Sequence, residues 1–257
     1  MNEKKPGKFG AFKLSQVLFI LPNAFTLASV FCGLFAIFLM TTDGGANSFY
    51  NAAVAIFFAC IFDMLDGRVA RLTKTQSSFG VQLDSLADQV SFGVAPAVLV
   101  YKWALLPMGI WGMISAFIFC ACGTIRLARF NVLTAQDDGA GPSKFFVGLP
   151  IPLSASMLVA LVIAHFRLFE GLPLKQHNFV LVIVLLLAYL MVSRVQYWTF
   201  KDLKFGRKTL ALIFFLVIVS FYFGQKYPAS VILCALIACY IFAGIVRYLY
   251  LFRANWK

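Results

Sequence analysis

The chain has 257 residues, of which 61% are hydrophobic and only 12% are charged, and its mean hydropathy is +0.87. A soluble domain carries about 25% charged residues, so this composition predicts a polytopic membrane protein. The net charge of +12 does not indicate nucleic-acid binding, because the chain has no soluble basic domain that could contact bases. We attribute the basic excess to membrane topology and to attraction for anionic lipid.

Eight apolar segments are long enough to span a bilayer, which requires about 20 apolar residues. They cover residues 17–41, 48–72, 83–102, 108–130, 150–168, 178–198, 209–225 and 229–252. The predicted fold class is therefore all-α, a polytopic transmembrane helical bundle of about eight spans. We divide the chain into a basic N-terminal segment (1–16), a transmembrane core (17–208) and two C-terminal helices with a short tail (209–257).

Lysine and arginine are distributed unevenly between the two sides of these spans. If the N-terminus is cytoplasmic, the basic residues on the opposite side are Lys102, Arg167, Lys175 and Lys226, out of 22. Cytoplasmic loops carry the excess of basic residues in membrane proteins. We therefore predict an even number of spans, cytoplasmic N- and C-termini, and a location in the inner membrane if the source is bacterial.

Four of the ten acidic residues fall in one stretch, which covers the end of the second span and the start of the third. The stretch reads D-M-L-D-G-R-V-A-R-L-T-K-T-Q-S-S-F-G-V-Q-L-D-S-L-A-D, and its acidic residues are Asp63, Asp66, Asp84 and Asp88. Carboxylates beside membrane-spanning segments are costly, and they indicate a functional site by default. The basic-residue count places this stretch at the cytoplasmic face.

The spacing of these acids places them on two helix faces. The residues on the first face are Asp63, Asp66, Gly67, Ala70 and Arg71, at i, i+3, i+4, i+7 and i+8. The residues on the second face are Gly80, Asp84 and Asp88, at i, i+4 and i+8. The segment between them is polar enough to turn the chain, so we predict two antiparallel helices whose acidic faces meet.

Clustered carboxylates repel one another and need compensating positive charge. Arg71 supplies only one such charge. Hard divalent cations such as Mg²⁺ suit a cluster of carboxylates combined with substrate phosphates. Two metal ions about 4 Å apart would hold both oxygens of a phosphoryl displacement. Gly67, Ala70 and Gly80 leave room for a bulky phosphorylated ligand, and Arg71 is placed to contact its phosphates.

Two other interpretations of the acidic stretch stay open on these grounds, namely structural ion pairs and a cation site of a divalent-cation transporter. Four acids against so few bases disfavour ion pairing. A transporter of this kind is expected to hold its acids near the bilayer midplane on paired broken helices. Here the acids lie near one face, and no internal repeat is visible.

The acidic stretch matches, without a gap, the D-x₂-D-G-x₂-A-R-x₈-G-x₃-D-x₃-D signature, and on these residues the chain resembles the CDP-alcohol phosphotransferases. The resemblance implies an integral membrane enzyme, and suggests a homodimer, that moves a phosphatidyl or related group from a CDP-linked donor to an alcohol and releases CMP. It makes the four aspartates ligands of two divalent cations, Mg²⁺ or Mn²⁺, and Asp88 also the general base. The residues that it implies in the CDP site are Gly67, Ala70, Arg71, Gly80, Asn23 and Thr26.

Segments outside the signature bear on the acceptor alcohol. They read Q-V-S-F-G-V-A-P-A after Asp88, I-R-L-A-R-F-N at 125–131, F-V-G-L-P-I-P at 146–152 and M-V-S-R-V-Q-Y-W-T-F-K at 191–201. Together they resemble the membrane-integral phosphatidylserine synthases, which implies CDP-diacylglycerol and L-serine as substrates. Inositol phosphate, glycerol phosphate, choline and an archaeal-type lipid stay alternative acceptors.

Serine carries a carboxylate, so its binding site needs a fixed cation. The candidate acceptor-binding residues, which come from three helix ends, are Arg126, Arg129, Asn131, Lys144, Arg194 and Lys201. Each basic residue among them also has an interpretation as an anchor at the cytoplasmic membrane surface. Arg126 is the least typical of such an anchor, because apolar residues surround it on both sides.

Overall fold

The computed structural model describes residues 14–42, 46–136, 145–170, 172, 177–198 and 228–254. Its α-helices are α1 (Leu14–Thr42), α2 (Ala46–Leu72), α3 (Ser78–Asp88), α4 (Ala95–Val100), α5 (Ile110–Gln136), α6 (Ile151–Phe169), α7 (His177–Val192) and α8 (Ala229–Ala254). Two short strands, β1 (Phe145–Val147) and β2 (Gln196–Trp198), pair antiparallel with Phe146 opposite Tyr197.

Six helices within the described residues are long and apolar enough to cross a membrane, which confirms a polytopic helical bundle. One of them is continuous from Ser78 to Met108 and joins α3 to α4 through a π-helical turn at Gln89–Val94. The shorter α7 is also apolar. The predicted span 209–225 lies outside the described residues, so a total of eight spans stays a prediction.

Four helix boundaries differ by five residues or more from those predicted; two of them are the end of the third span, at Met108 rather than at 102, and the end of α5, at Gln136 rather than at 130. The third span begins at Ser78 rather than at 83, because the Ser77 hydroxyl accepts the Gly80 backbone N–H at 3.0 Å and caps the helix. The sixth predicted span, 178–198, is too long, because α7 ends at Val192 and the chain continues into β2. The all-α prediction therefore omitted the small β1–β2 ladder.

Close packing of α1 against the π turn fixes the centre of the bundle. A Cβ added at Gly33 would lie 2.9 Å from the Ser91 Cα. The Ser91 hydroxyl donates to the Ser29 carbonyl oxygen at 3.0 Å, and the Ser29 hydroxyl donates to Ser91 Oγ at 3.1 Å. Small residues let transmembrane helices approach closely, and serine hydroxyls bond across the contact. The helix that carries Asp84 and Asp88 is thereby held against α1.

Arg129 joins several chain segments at one end of the bundle. Its guanidinium donates to the Val147 carbonyl oxygen of β1 at 2.9 Å and to the Val192 carbonyl oxygen at the end of α7 at 3.0 Å. The last carbonyls of a helix lack partners within the helix, and Arg129 supplies a partner at the end of α7. This end also holds the α2–α3 turn, because Asn131 of α5 bonds to Ser85 of α3 at 3.0 Å.

The opposite end of the bundle is lined by aromatic and histidine side chains. Arg167 donates to the Tyr50 hydroxyl at 3.0 Å, and the His165 and Trp103 rings lie 5.4 Å apart. His177 Nδ1 lies 2.6 Å from the Ala104 carbonyl oxygen. Belts of this kind are typical of membrane–water interfaces. The two histidines therefore lie far from the aspartates.

Candidate active site

Three of the four motif aspartates converge where α2 and α3 face each other. Asp63 and Asp66 on α2 and Asp84 on α3 each offer a carboxylate oxygen, and these oxygens lie within 4.8 Å of one another. Asp66 is buried and the other two are half-buried. The helical spacing and the short turn at 73–77 thus bring both acidic faces together. The arrangement offers oxygen ligands of the kind that hard divalent cations prefer.

Asp66 is held from α1 by Thr26. The Thr26 hydroxyl lies 2.6 Å from Asp66 Oδ2, to which it donates, and Thr26 itself is only 4% exposed. The same hydroxyl oxygen lies 3.2 Å from the Pro22 carbonyl oxygen one turn earlier. The resemblance predicted a nucleotide contact for Thr26, and the structure places its hydroxyl on a carboxylate of the cluster. A buried donor of this kind fixes the orientation of Asp66.

Asp88 lies one turn beyond Asp84 on the same face. Its Oδ1 is buried, and no residue in the described part of the chain hydrogen-bonds to it. Its charge interacts with Asp63, Asp84 and Arg126, which shows that all four side chains share one electrostatic environment. An unpartnered buried carboxylate oxygen is costly. It fits a metal ion or a substrate hydroxyl as its missing partner.

The residues predicted for the CDP site lie around these carboxylates. A Cβ added at Gly67 would meet nothing within 4 Å, so the space beside Asp66 is open. A Cβ added at Gly80 would lie 3.8 Å from Asn23 Oδ1, which places Asn23 of α1 next to α3. Ala70 is half-buried and Arg71, at the end of α2, is exposed. The open space at Gly67 therefore lies next to the carboxylates.

Among the predicted acceptor residues that the structure describes, Arg126 is the one that interacts with an aspartate of the motif, Asp88. It is 7% exposed, and its guanidinium carbon lies 5.7 Å from the centre of the Phe130 ring. A buried arginine needs a counter-charge, and Asp88 supplies one from the facing helix. Arg126 thus contributes a buried positive charge to the electrostatic environment of Asp88.

The other predicted acceptor residues have different surroundings. Arg129 is engaged by the carbonyl oxygens of β1 and α7, and Asn131 donates to Ser85 and to Gln82 of α3 at 3.0 and 3.3 Å. Arg194 is exposed. Lys144 and Lys201 lie outside the described residues. An acceptor contact stays a prediction for all five.

Gln89 is a site-supporting residue that the sequence interpretation missed. It follows Asp88 directly and opens the π turn, and its amide nitrogen donates to the Cys120 carbonyl oxygen of α5 at 3.3 Å. π turns inside α-helices are frequent at functional sites. A polar side chain next to the last aspartate of an apolar helix was the available signal. The bond ties the segment that carries Asp88 to the helix that carries Arg126.

Comparison with known proteins agrees with this site. The family model described as CDP-alcohol phosphatidyltransferase matches residues 19–190. The chain belongs to this family of enzymes. The match runs from within α1 to within α7 and includes every residue of the carboxylate cluster.

Similar proteins come from distant organisms. The chain is 37% identical over 236 residues to the CDP-diacylglycerol–serine O-phosphatidyltransferase of Helicobacter pylori, covering 91% of this chain and 93% of that protein. It is 36% identical over 224 residues to the protein of the same name from Methanocaldococcus jannaschii, covering 87% and 92%. A Saccharomyces cerevisiae protein of that name is 37% identical over 156 residues, covering 58% and 56%.

Proposed function

We propose that this enzyme transfers the phosphatidyl group of CDP-diacylglycerol to the hydroxyl of L-serine, giving phosphatidylserine and CMP. The observation that carries the proposal is the cluster of Asp63, Asp66 and Asp84 oxygens, together with the unpartnered Oδ1 of Asp88 and the buried Arg126. The names of the relatives that match nearly the whole chain support serine as the acceptor.

The carboxylates of Asp63, Asp66, Asp84 and Asp88 are the proposed ligands of two divalent cations. When bound, two Mg²⁺ or Mn²⁺ ions would neutralise the pyrophosphate of the donor and stabilise the departing CMP. Thr26 keeps Asp66 oriented through its 2.6 Å hydrogen bond. The open space at Gly67 leaves room for the nucleotide, and we place Asn23, Ala70, Arg71 and Gly80 at its edge.

Asp88 is the proposed general base. A neutral hydroxyl is a poor nucleophile, and a positioned carboxylate that takes its proton in the transition state speeds the attack. Asp88 takes this proton as the serine oxygen attacks the β-phosphorus of CDP-diacylglycerol. The bond between the β-phosphorus and the bridging oxygen breaks, and CMP leaves with that oxygen. The unpartnered Oδ1 is free among the described residues to accept the proton.

Arg126 is the proposed partner of the serine carboxylate. Its positive charge is buried and interacts with the charge of Asp88, so a carboxylate bound at Arg126 would hold serine in the same site as the proposed base. Arg129, Asn131 and Arg194 line the same end of the bundle, and Arg129 also holds it together. The β1–β2 ladder pairs the chain just after Lys144 with the chain just before Lys201, which supports a joint role for these lysines.

The membrane arrangement is part of the proposal. We infer cytoplasmic termini, an active site at the cytoplasmic face and a homodimer. The end of the bundle that carries the aspartates also carries four basic residues, Arg71, Arg126, Arg129 and Arg194. Cytoplasmic loops carry an excess of basic residues, which supports a cytoplasmic position for this end. A water-soluble acceptor could reach a lipid donor at such a surface.

An acceptor panel tests the proposed function. Purified protein in lipid nanodiscs receives CDP-diacylglycerol, Mn²⁺ and one radiolabelled acceptor at a time: serine, inositol phosphate, glycerol phosphate or choline. We expect labelled lipid and stoichiometric CMP with serine alone. Product with another acceptor in place of serine would assign a different reaction of the same family. Cation uptake into liposomes without CMP release would indicate transport.

A further inference from the structure

The C-terminal half of α8 packs against the β1–β2 ladder through one aromatic side chain. Tyr197 of β2 is 1% exposed, and its ring stacks on the ring of Tyr240 with the centroids 5.6 Å apart. A Cβ added at Gly244, one turn after Tyr240, would lie 2.6 Å from Tyr197 Cδ1 and closer still to Cε1. The Tyr197 ring therefore fits against α8 only because position 244 has no side chain.

The alternation of side chains along β2 explains which residue faces α8. Successive side chains of a strand point to opposite faces, and accordingly Tyr197 is buried while Gln196 before it is exposed. Glycine is a poor helix former, so Gly244 in the interior of α8 is explained by the ring that it accommodates. Both β2 and α8 lie beyond the residues 19–190 that the family model matches.

The ladder connects this contact to α5. Its register places Tyr197 opposite Phe146 and next to the pair formed by Val147. The Val147 carbonyl oxygen accepts a 2.9 Å hydrogen bond from Arg129 of α5. Arg126, the proposed partner of the serine carboxylate, lies one turn before Arg129 on that helix. A continuous series of contacts thus runs from α8 to the helix that bears this arginine.

The ladder is packed too tightly to absorb a displacement of the Tyr197 ring. Gly148, directly after β1, has φ +81°, and a Cβ added there would lie 2.7 Å from a guanidinium nitrogen of Arg129. The Gly148 N–H donates to the Val195 carbonyl oxygen at 2.8 Å, and the Leu149 N–H donates to the Leu190 carbonyl oxygen at 3.0 Å. Close-packed interiors transmit strain. A shift of the ring is therefore expected to move the ladder and Arg129 with it.

We propose that Tyr197, seated on Gly244 of α8, is a positioning residue for the acceptor side of the active site. This inference rests on the proposed function. The ladder begins directly after Lys144 and ends three residues before Lys201, and it bonds to Arg129. Its position therefore bears on three of the basic residues predicted to surround the acceptor. The α8 helix acts on the reaction through this contact without touching the substrates.

A displaced ladder should affect the acceptor and spare the donor. The carboxylate cluster has its own supports, because Thr26 of α1 donates to Asp66 at 2.6 Å and Ser91 of the third span donates to the Ser29 carbonyl oxygen at 3.0 Å. Neither of these bonds involves the ladder or α8. A small misplacement of a substrate can cost about 10²-fold in rate. The expected signature is a raised KM for serine at an unchanged KM for CDP-diacylglycerol.

Gly244→Ala tests this role with the smallest change that displaces the ring. We expect the KM for serine to rise by about tenfold, with kcat, the KM for CDP-diacylglycerol and the Mn²⁺ requirement near wild type. Ala243→Val is the matched control, because it adds methyl groups at the neighbouring exposed position of α8. Its kinetic constants should equal those of the wild type. All variants are assayed as folded protein in the same lipid nanodiscs.

Two variants at position 197 separate the ring from its hydroxyl. Tyr197→Phe keeps the ring and removes a hydroxyl that finds no hydrogen-bond partner among the described residues, so its KM for serine should stay at the wild-type value. Tyr197→Ala removes the ring and should raise that KM. Adding Gly244→Ala to it should have no further effect, because residues that act through one contact are not additive.

Three results would overturn the proposal. They are an unchanged KM for serine in Gly244→Ala, equal rises of the KM values for serine and for CDP-diacylglycerol, and additive effects of Tyr197→Ala and Gly244→Ala. A raised KM for serine in Tyr197→Phe would likewise refute a role that depends on the position of the ring.

The outcome also separates this inference from the proposed function. CMP release with serine, combined with a wild-type KM for serine in Gly244→Ala, refutes the positioning role and leaves the reaction standing. If the acceptor panel assigns another alcohol, a raised KM for that alcohol in Gly244→Ala supports the positioning role and removes serine as the acceptor.

Discussion

Thr26→Val removes one hydroxyl and leaves the size of the side chain almost unchanged. The Thr26 hydroxyl donates to Asp66 Oδ2 at 2.6 Å, and both side chains are buried. A hydrogen bond to a charged group contributes about 1.5–3 kcal/mol, and loss of a partner that orients a metal ligand typically costs 10–100-fold in metal affinity or activity. We therefore expect the Mn²⁺ concentration for half-maximal CMP release to rise at least about tenfold.

The assay is a Mn²⁺ titration of CMP release at saturating CDP-diacylglycerol and serine, with Mn²⁺ binding followed in parallel by calorimetry. Thr41→Val is the matched control, because the Thr41 hydroxyl contacts only the Ile37 and Phe38 carbonyl oxygens of α1 in the described structure. A wild-type Mn²⁺ requirement in folded Thr26→Val protein would refute the role of Asp66 as a ligand held in place by Thr26.

Three further predictions concern acceptor binding, the stability of the helical bundle and the metal ions. Arg126→Gln should raise the KM for serine about tenfold or more, the cost of losing a charge-assisted hydrogen bond, without changing the KM for CDP-diacylglycerol; equal effects on both would contradict the acceptor role. Arg129→Lys should lower Tm by about 4 °C or more, because an ammonium cannot reproduce the guanidinium fork. Arg194→Lys, at an exposed position, is its control. If Arg129→Lys raises the KM for serine and leaves Tm unchanged, Arg129 contacts the acceptor instead. Chelation should abolish CMP release and added Mg²⁺ should restore it; full activity after exhaustive chelation would exclude divalent-metal catalysis.

The aspartate cluster could be predicted from the sequence because its residues lie close together along the chain. Helical spacing alone places Asp63 and Asp66 on one helix face and Asp84 and Asp88 on another. Because the polar turn between the two helices is short, these faces are expected to pack against each other. The structure brings Asp63, Asp66 and Asp84 together accordingly. The Ser77 cap was also a local signal, since serine before S-F-G is typical of a helix start.

The features that escaped prediction depend on contacts between distant parts of the chain. The end of α7 at Val192 is capped by Arg129, which is 63 positions away, and apolarity alone could not reveal it. The β1–β2 ladder joins segments too short to show a strand pattern. The contact between Thr26 and Asp66 spans 40 positions. Such contacts arise only when the whole bundle is packed, and spacing within one helix does not report them.

Turnover by Asp88→Asn tests the proposed chemistry most directly. The amide keeps the shape of the side chain and cannot accept the proton of the serine hydroxyl, so CMP release with serine and Mn²⁺ should fall by about 10²–10⁴-fold. Tm and binding of CDP-diacylglycerol should stay close to those of the wild type. CMP release near the wild-type rate in this variant would contradict Asp88 as the base and, with it, the proposed reaction at the carboxylate cluster.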